Sequence, residues 1–168
     1  MPALRRIAAI ADSNRTAAPR LEVLQDAARA SSIELSIHQI ARSDEIPAAI
    51  DAAKASGAAA LNVLSSPMLY GSRQIIMQRV AALRLPAIYQ FPEIAEEGGF
   101  VGYGPRVVQV FRELMAQQLV KLLRGAKPAD LPIEQPAKFD LVINLKTADA
   151  LGITVPPILL ARADKVID

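Results

Sequence analysis

Apolar and polar residues come in alternating blocks along this chain, and the blocks have two characteristic lengths. Residues 6–11 (Arg-Ile-Ala-Ala-Ile-Ala) form a short apolar run that stops at Asp12-Ser13-Asn14, the pattern of a buried strand followed by helix-capping residues. Between 16 and 30, Leu21, Leu24 and Ala28 recur at helical spacing. Residues 33–40 then alternate, with Ile33, Leu35 and Ile37 on one face and Glu34, Ser36 and His38 on the other, which predicts a strand. Ser43-Asp44-Glu45 opens a helix running to Ala55, and Gly57 closes it as a C-cap. Another apolar run at 58–64 is stopped by Ser65-Ser66-Pro67; 72–83 reads as a helix and 86–91 as a strand.

Strands alternating with helices of ~10–15 residues predict βαβ units, right-handed crossovers and a mainly parallel sheet between helical layers, the three-layer αβα class. After Pro92 the order loosens. A helical turn at 93–97, a Gly98-Gly99 turn and a short strand at 100–103 precede the strongest helix, 106–123, whose Val107, Val108, Phe111, Leu114, Met115, Leu119, Leu122 and Leu123 make a wide apolar face. Gly125-Ala-Lys-Pro breaks it, 129–138 reads as an extended connector, 139–145 as a final strand, 147–151 as a short helix, and Pro156-Pro157 opens a last turn. The expected organisation is one domain over 1–168: a core lobe of βα units at 1–97, a strand and long helix at 98–128, and a connector, final strand and tail at 129–168.

Composition narrows the picture. A hydrophobic fraction of 52% with aromatics at only 4% fits helices packed closely on a sheet and excludes a disordered chain. With no cysteine, disulfides, thiolate catalysis and cysteine zinc sites are excluded together. The net charge of +2, with Lys and Arg scattered, lacks the clustered basic face of a nucleic-acid binder. No apolar run reaches the ~18 residues a membrane-spanning helix needs. The Met1-Pro-Ala-Leu start has no hydrophobic region with a cleavage site, so the chain as written carries no export address and is expected in the cytoplasm if it is a natural short gene.

In parallel α/β sheets ligands sit outside the carboxyl ends of the strands. That singles out Asp12-Ser13-Asn14, with Thr16 just beyond, then Ser65-Ser66, then Tyr89-Gln90. These offer hydroxyl, amide and carboxylate groups near helix N-termini, which favour a ligand carboxylate. Ser13, Asn14 and Ser66 could equally be plain caps. Enzyme readings find little footing. Neither a Gly-x-Gly-x-x-Gly after a strand nor a P-loop occurs, and His38, the single histidine, falls on a strand's polar face away from those ends. Glu93, Glu96 and Glu97 read as a solvated turn. A phosphoacceptor receiver fails too, because Ser65-Ser66 stands where the phosphorylated Asp would be. The expectation is therefore no catalysis, no cofactor and no metal.

The last forty residues carry a specific resemblance. Gln-Pro-Ala-Lys-Phe-Asp-Leu-Val-Ile-Asn-Leu-Lys-Thr-Ala at 135–148, together with Gly125-Ala-Lys-Pro, Leu85-Pro-Ala-Ile-Tyr and Gly98-Gly-Phe-Val-Gly-Tyr-Gly-Pro, resembles a bacterial family of ABC-transporter substrate-binding proteins. The resemblance implies a periplasmic-binding-protein type I-like lobe of flavodoxin or Rossmann character. Such proteins are periplasmic and close two lobes on a small solute, in some members an aromatic amino acid. This chain looks like the second lobe plus the tail, as if truncated. Carried over by position, the resemblance puts the family's cleft loops on Ser13, Asn14, Thr16, Ser65, Ser66 and Tyr89, with Tyr89 or Tyr103 stacking on the ligand's side chain. The chain departs from the family in having Asp12-Ser-Asn-Arg where Asn-Pro-x-Asn is common, and Ser-Ser where many members have an acidic residue near Pro67. Ligand identity stays open between aromatic and other amino acids.

The resemblance also implies an ABC permease as partner of an exported full-length protein. The helix at 106–123 would face the absent lobe, and its apolar width predicts a homodimer in which helix and tail cover the partner's sheet. A stand-alone dimeric interaction module without a transport role is the alternative. A small flavodoxin-like enzyme is a further one, and would need a bound flavin.

Overall fold

The computed structural model describes residues 5–168, so the start at 1–4 lies outside the described residues. Its centre is a seven-stranded sheet in the order β2-β1-β3-β4-β5-β6-β7. The strands are β1 (Arg6–Asp12), β2 (Glu34–Ile40), β3 (Leu61–Val63), β4 (Ala87–Tyr89), β5 (Val101–Gly104), β6 (Asp140–Asn144) and β7 (Lys165–Ile167). All neighbouring pairs are parallel except β5 with β6. The expected α/β sheet is there, mainly parallel. Sequence pattern does not reveal the reversal at β6, nor β7, which turns the expected loose tail into an edge strand.

Helices fill the connections: α1 (Ala18–Ala30), α2 (Ile46–Ala55), α3 (Pro67–Gly71), α4 (Arg73–Ala82) and α5 (Pro92–Glu96). Residues paired across neighbouring strands share a face. One face carries Ala8, Ile10, Leu61, Val63, Ala87 and Tyr89, which form a single buried cluster with Ile46, Ile50 and Ala53 of α2 and Ile76, Met77 and Val80 of α4. Ile46, Ile50 and Ala53 fall three or four residues apart, so one stripe of α2 meets the sheet. The small strand residues Ala8, Ala9 and Ala11 are wholly buried, which lets backbone and helix approach closely. On the opposite face, Val101, Leu141 and Ile143 pack with Ala148 of α8 (Leu145–Leu151), Val155, and Leu160 of α9 (Pro157–Arg162).

The segment between β5 and β6 behaves differently. It rises as one continuous helix made of α6 (Val107–Gln109), a π-helical stretch (Val110–Met115) and α7 (Ala116–Leu123), then returns along itself to Asp140. No residue of this arm's helix is buried. Gln118 donates to the Pro132 carbonyl at 3.4 Å and Lys121 pairs with Glu134 at 3.6 Å, so the returning segment covers one side only. The tail, expected to reach out with the helix, instead pairs with β6 in its own sheet.

Candidate functional site

Because β1, β3, β4 and β5 are parallel, their carboxyl ends share one edge, and the loops leaving them stand side by side. Neighbouring strands lie ~4.8 Å apart, so the loops after β1 and β4 are separated by on the order of 10 Å, the width of a small ligand. Asp12 closes β1, only 3% exposed, and its Oδ1 accepts from the Asn14 backbone N–H at 2.9 Å, an Asx turn. Ser13 Oγ donates to the Ile40 carbonyl at 3.1 Å and Asn14 Nδ2 donates to the Ala41 carbonyl at 3.0 Å. Both side chains therefore tie the β1 loop to the end of β2, and neither caps a helix. The N-cap of α1 is Ala17, with no side-chain cap bond, so the first N–H groups of a 13-residue helix are left without one.

In the middle of the edge, Ser66 is buried and its Oγ accepts from the Leu69 N–H at 3.0 Å. Here the capping alternative describes the structure, and the bond holds α3 across the edge. Ser65 beside it is half-exposed. Thr16 Oγ1 and Gln90 Oε1 are buried without a hydrogen-bond partner among the described residues, one on each side of Ser65 and Ser66. Ser13, Asn14, Thr16, Ser65 and Ser66 thus all belong to the loops of one edge.

The two tyrosines stand elsewhere. Tyr89 points into the α4 side of the sheet, 1% exposed and part of the main core, because its position in β4 shares a face with Val63 and Ala87. Its hydroxyl has no partner among the described residues, and burial pushes its ionisation well above the ordinary phenol value. It cannot present its ring at the edge. Tyr103 lies on the opposite face, 54% exposed, with its ring centroid 6.0 Å from that of Phe139. The aromatic surface at the edge comes instead from two residues outside the expected set. Phe91 leaves β4 and meets Tyr70 of α3 edge-on at 5.2 Å between centroids. Arg73 lies over the Tyr70 ring at 4.8 Å while its guanidinium holds Glu97 at 2.6 Å. The usable signal is position: both aromatics sit just beyond strand ends, where a half-buried ring has a free face.

Past β5 the same edge changes character and becomes ionic. Arg106 Nε donates to Asp140 Oδ2 at 2.6 Å, and its Nη1 to Glu96 Oε1 at 3.1 Å. Lys165 Nζ reaches the same Glu96 oxygen at 3.0 Å, and Lys138 stands 3.4 Å from Asp140. Glu93 Oε1 accepts from the Val107 N–H at 2.9 Å. The expected solvated turn is therefore corrected: Glu93, Glu96 and Glu97 are each engaged by an arginine, a lysine or a helix end. The fold brings one of those cations from 69 positions away and another from the arm's root. The Arg106 hydrogen bond, against the cost of desolvation, holds the Asp140 carboxyl below its ordinary range, with Lys138 adding to it. Burial pushes Glu96 up, but Lys165 and Arg106 outweigh it and the net shift is downward. This collar clamps both roots of the arm to α5 and β7.

Chemically the edge can bind and orient; it has little with which to catalyse. Among the described residues no group of three or more His, Asp or Glu is placed to hold a metal ion. His38 sits on β2 with Nε2 buried and unpartnered among those residues, away from the loops. Among the same residues no helix is long and apolar enough to cross a membrane.

Comparison with known proteins gives a family and a fold. The family described as ABC transporter substrate binding protein matches residues 1–167. An uncharacterised protein of Rickettsia prowazekii (strain Madrid E) is 27% identical over 149 residues, which is 88% of this chain and 48% of that protein. Among solved structures, a conserved domain protein from Vibrio cholerae superposes with a TM-score of 0.89 at 23% identity, over 99% of this chain and 56% of that one. An ABC domain from Streptococcus pneumonia in complex with L-Trp gives 0.85 at 22% identity, with 99% and 56% covered. These structural likenesses show the fold. The chain spans about half the length of the proteins it matches.

Proposed function

Because the chain belongs to the ABC transporter substrate binding protein family, we propose that it forms one wall of a solute-binding cleft and holds a small amino-acid-like ligand against the carboxyl edge of its sheet. The observation that carries this is the row of polar groups across β1, β3 and β4, with the buried and unpaired Thr16 Oγ1 and Gln90 Oε1 flanking Ser65 and Ser66. Buried polar atoms without partners are costly, so a ligand that supplies the missing bonds is favoured there. The uncapped N-terminus of α1 suits a carboxylate, and the Tyr70–Phe91 pair offers a ring for an apolar or aromatic side chain. The L-Trp in the streptococcal structure supports that choice of ligand class. No catalytic step belongs to this reading.

A cleft normally buries most of its ligand between facing walls, so this wall alone binds weakly. In the full arrangement the protein works outside the cytoplasmic membrane and passes solute to an ABC permease; fractionation of native cells tests that placement. Calorimetric titration with Trp, Phe, Tyr and the branched-chain amino acids tests the binding. Heat from at least one of them, lost on Thr16→Val and Gln90→Leu, is the expected result, and flat traces for all refute it. The alternative of a dimeric interaction module without transport draws on one observation, the uncovered helix of the arm.

A further inference from the structure

The arm's helix has two apolar stripes one residue apart. Val107, Val110, Leu114, Gln118 and Lys121 are half-buried against the returning segment. Val108, Phe111, Met115 and Leu119 are 55%, 56%, 54% and 56% exposed, and Leu122 is 36% exposed. Nothing among the described residues covers this second stripe. Its spacing is 3, 4, 4, 3, which reads the same in both directions about Met115. We infer that the stripe is a self-complementary interface: two copies of this chain pair their arms antiparallel about a two-fold axis through Met115.

An isologous contact requires that residue i meet residue j and j meet i. Under this axis Met115 meets Met115, Phe111 meets Leu119 and Val108 meets Leu122, so every apolar side chain finds an apolar one. The flanks also agree. Arg112 falls opposite Gln118, Glu113 opposite Gln117 and Gln109 opposite Lys121, and no like charges meet. The area suffices as well. A large side chain covers ~150–250 Å² when fully buried, so a stripe about half exposed presents on the order of 500 Å², already at the upper end of patches found on monomers. Adding Val120 and Leu123, 43% and 79% exposed at the stripe's margin, brings each copy near the ~800 Å² per partner of a standard interface. The collar at Arg106 and Asp140 fixes the arm's root, so the stripe is presented in a set direction. This pairing holds whether or not the sheet edge binds an amino acid.

The chain has no cysteine, which makes single thiols decisive probes. Sedimentation of the unaltered chain at micromolar concentration is expected to show a dimer, and Phe111→Glu a monomer with unchanged far-ultraviolet circular dichroism. On mild oxidation Met115→Cys should cross-link with itself, since the axis brings the pair within the ~4.4–6.8 Å a disulfide needs. Phe111→Cys and Leu119→Cys should each fail to cross-link alone, the like positions being about 12 Å apart along the axis at 1.5 Å per residue, yet should cross-link when mixed. All the substituted sites are exposed, so folding is not at stake, and dichroism checks it. A monomeric unaltered chain overturns the inference and assigns the stripe to another part of a longer polypeptide. Cross-linking of Phe111→Cys with itself, the mark of parallel pairing, overturns it equally.

Discussion

Gly104→Ala tests the close backbone approach that shapes the binding edge. A Cβ built at Gly104 would lie 1.9 Å from the Gln90 carbonyl oxygen and 3.0 Å from its carbon. Ordinary contact begins near 3.4 Å, so the two backbones would have to separate by more than an ångström. Neither is free to move. Gly104 pairs with Asp140 at the root of the arm, and β4 meets β5 only through Ile88 with Val101 and Tyr89 with Gly102. Gly102 is similarly tight, its own Cβ being 2.6 Å from the Phe91 carbonyl oxygen. Overpacking costs typically ~1–3 kcal/mol where side chains can yield; with backbone as the obstacle the upper value applies, about 3 kcal/mol. For a chain of this size that lowers Tm by roughly 6–12 °C at ~2–4 °C per kcal/mol. The assay is thermal and urea unfolding monitored by circular dichroism. Gly71→Ala is the control: it has nothing within 4 Å and ends α3, so it should be neutral or gain ~0.4–1 kcal/mol. A Gly104→Ala protein whose Tm matches the unaltered chain would refute the account of how β5 is held against residues 90 and 91.

The buried polar groups give further expected outcomes. Arg106→Met leaves the Asp140 carboxylate, 6% exposed, with only Lys138 beside it, and should destabilise by about 3 kcal/mol at neutral pH in urea titrations. Since the folded-state affinity of Asp140 and Glu96 for protons is lowered, their contribution is present above the ordinary values of 3.8 and 4.5 and lost as pH falls through and below them; the difference between Arg106→Met and the unaltered chain should shrink at acid pH. Tyr89→Phe removes a hydroxyl with no partner in a site 1% exposed, so it should be neutral or stabilising by up to about 1 kcal/mol and leave amino-acid titrations unchanged; a loss of binding would return Tyr89 to the site. Ser66→Ala removes the bond to Leu69 N and should cost about 1 kcal/mol in thermal unfolding.

Sequence pattern by itself determined the αβα class, the first four strands and the loops that carry the polar edge, because hydrophobic period and capping chemistry are local properties. It placed Ser13, Asn14, Thr16, Ser65 and Ser66 on one edge for the same reason: in a parallel sheet, the loop leaving each strand lies at its carboxyl end. The rest depended on partners distant in sequence. Tyr89 obeys the same rule by position, yet strand parity turns its ring into the core. The three glutamates after Pro92 look solvated until β6, β7 and the arm bring Arg106 and Lys165 to them. Likewise, a wide apolar helix face is legible from spacing alone, but only the tertiary structure shows which stripe the returning segment covers and which it leaves for another surface. Periodicity fixes which way a side chain leaves its own helix or strand; the surface it then meets is set by how the rest of the chain folds around it.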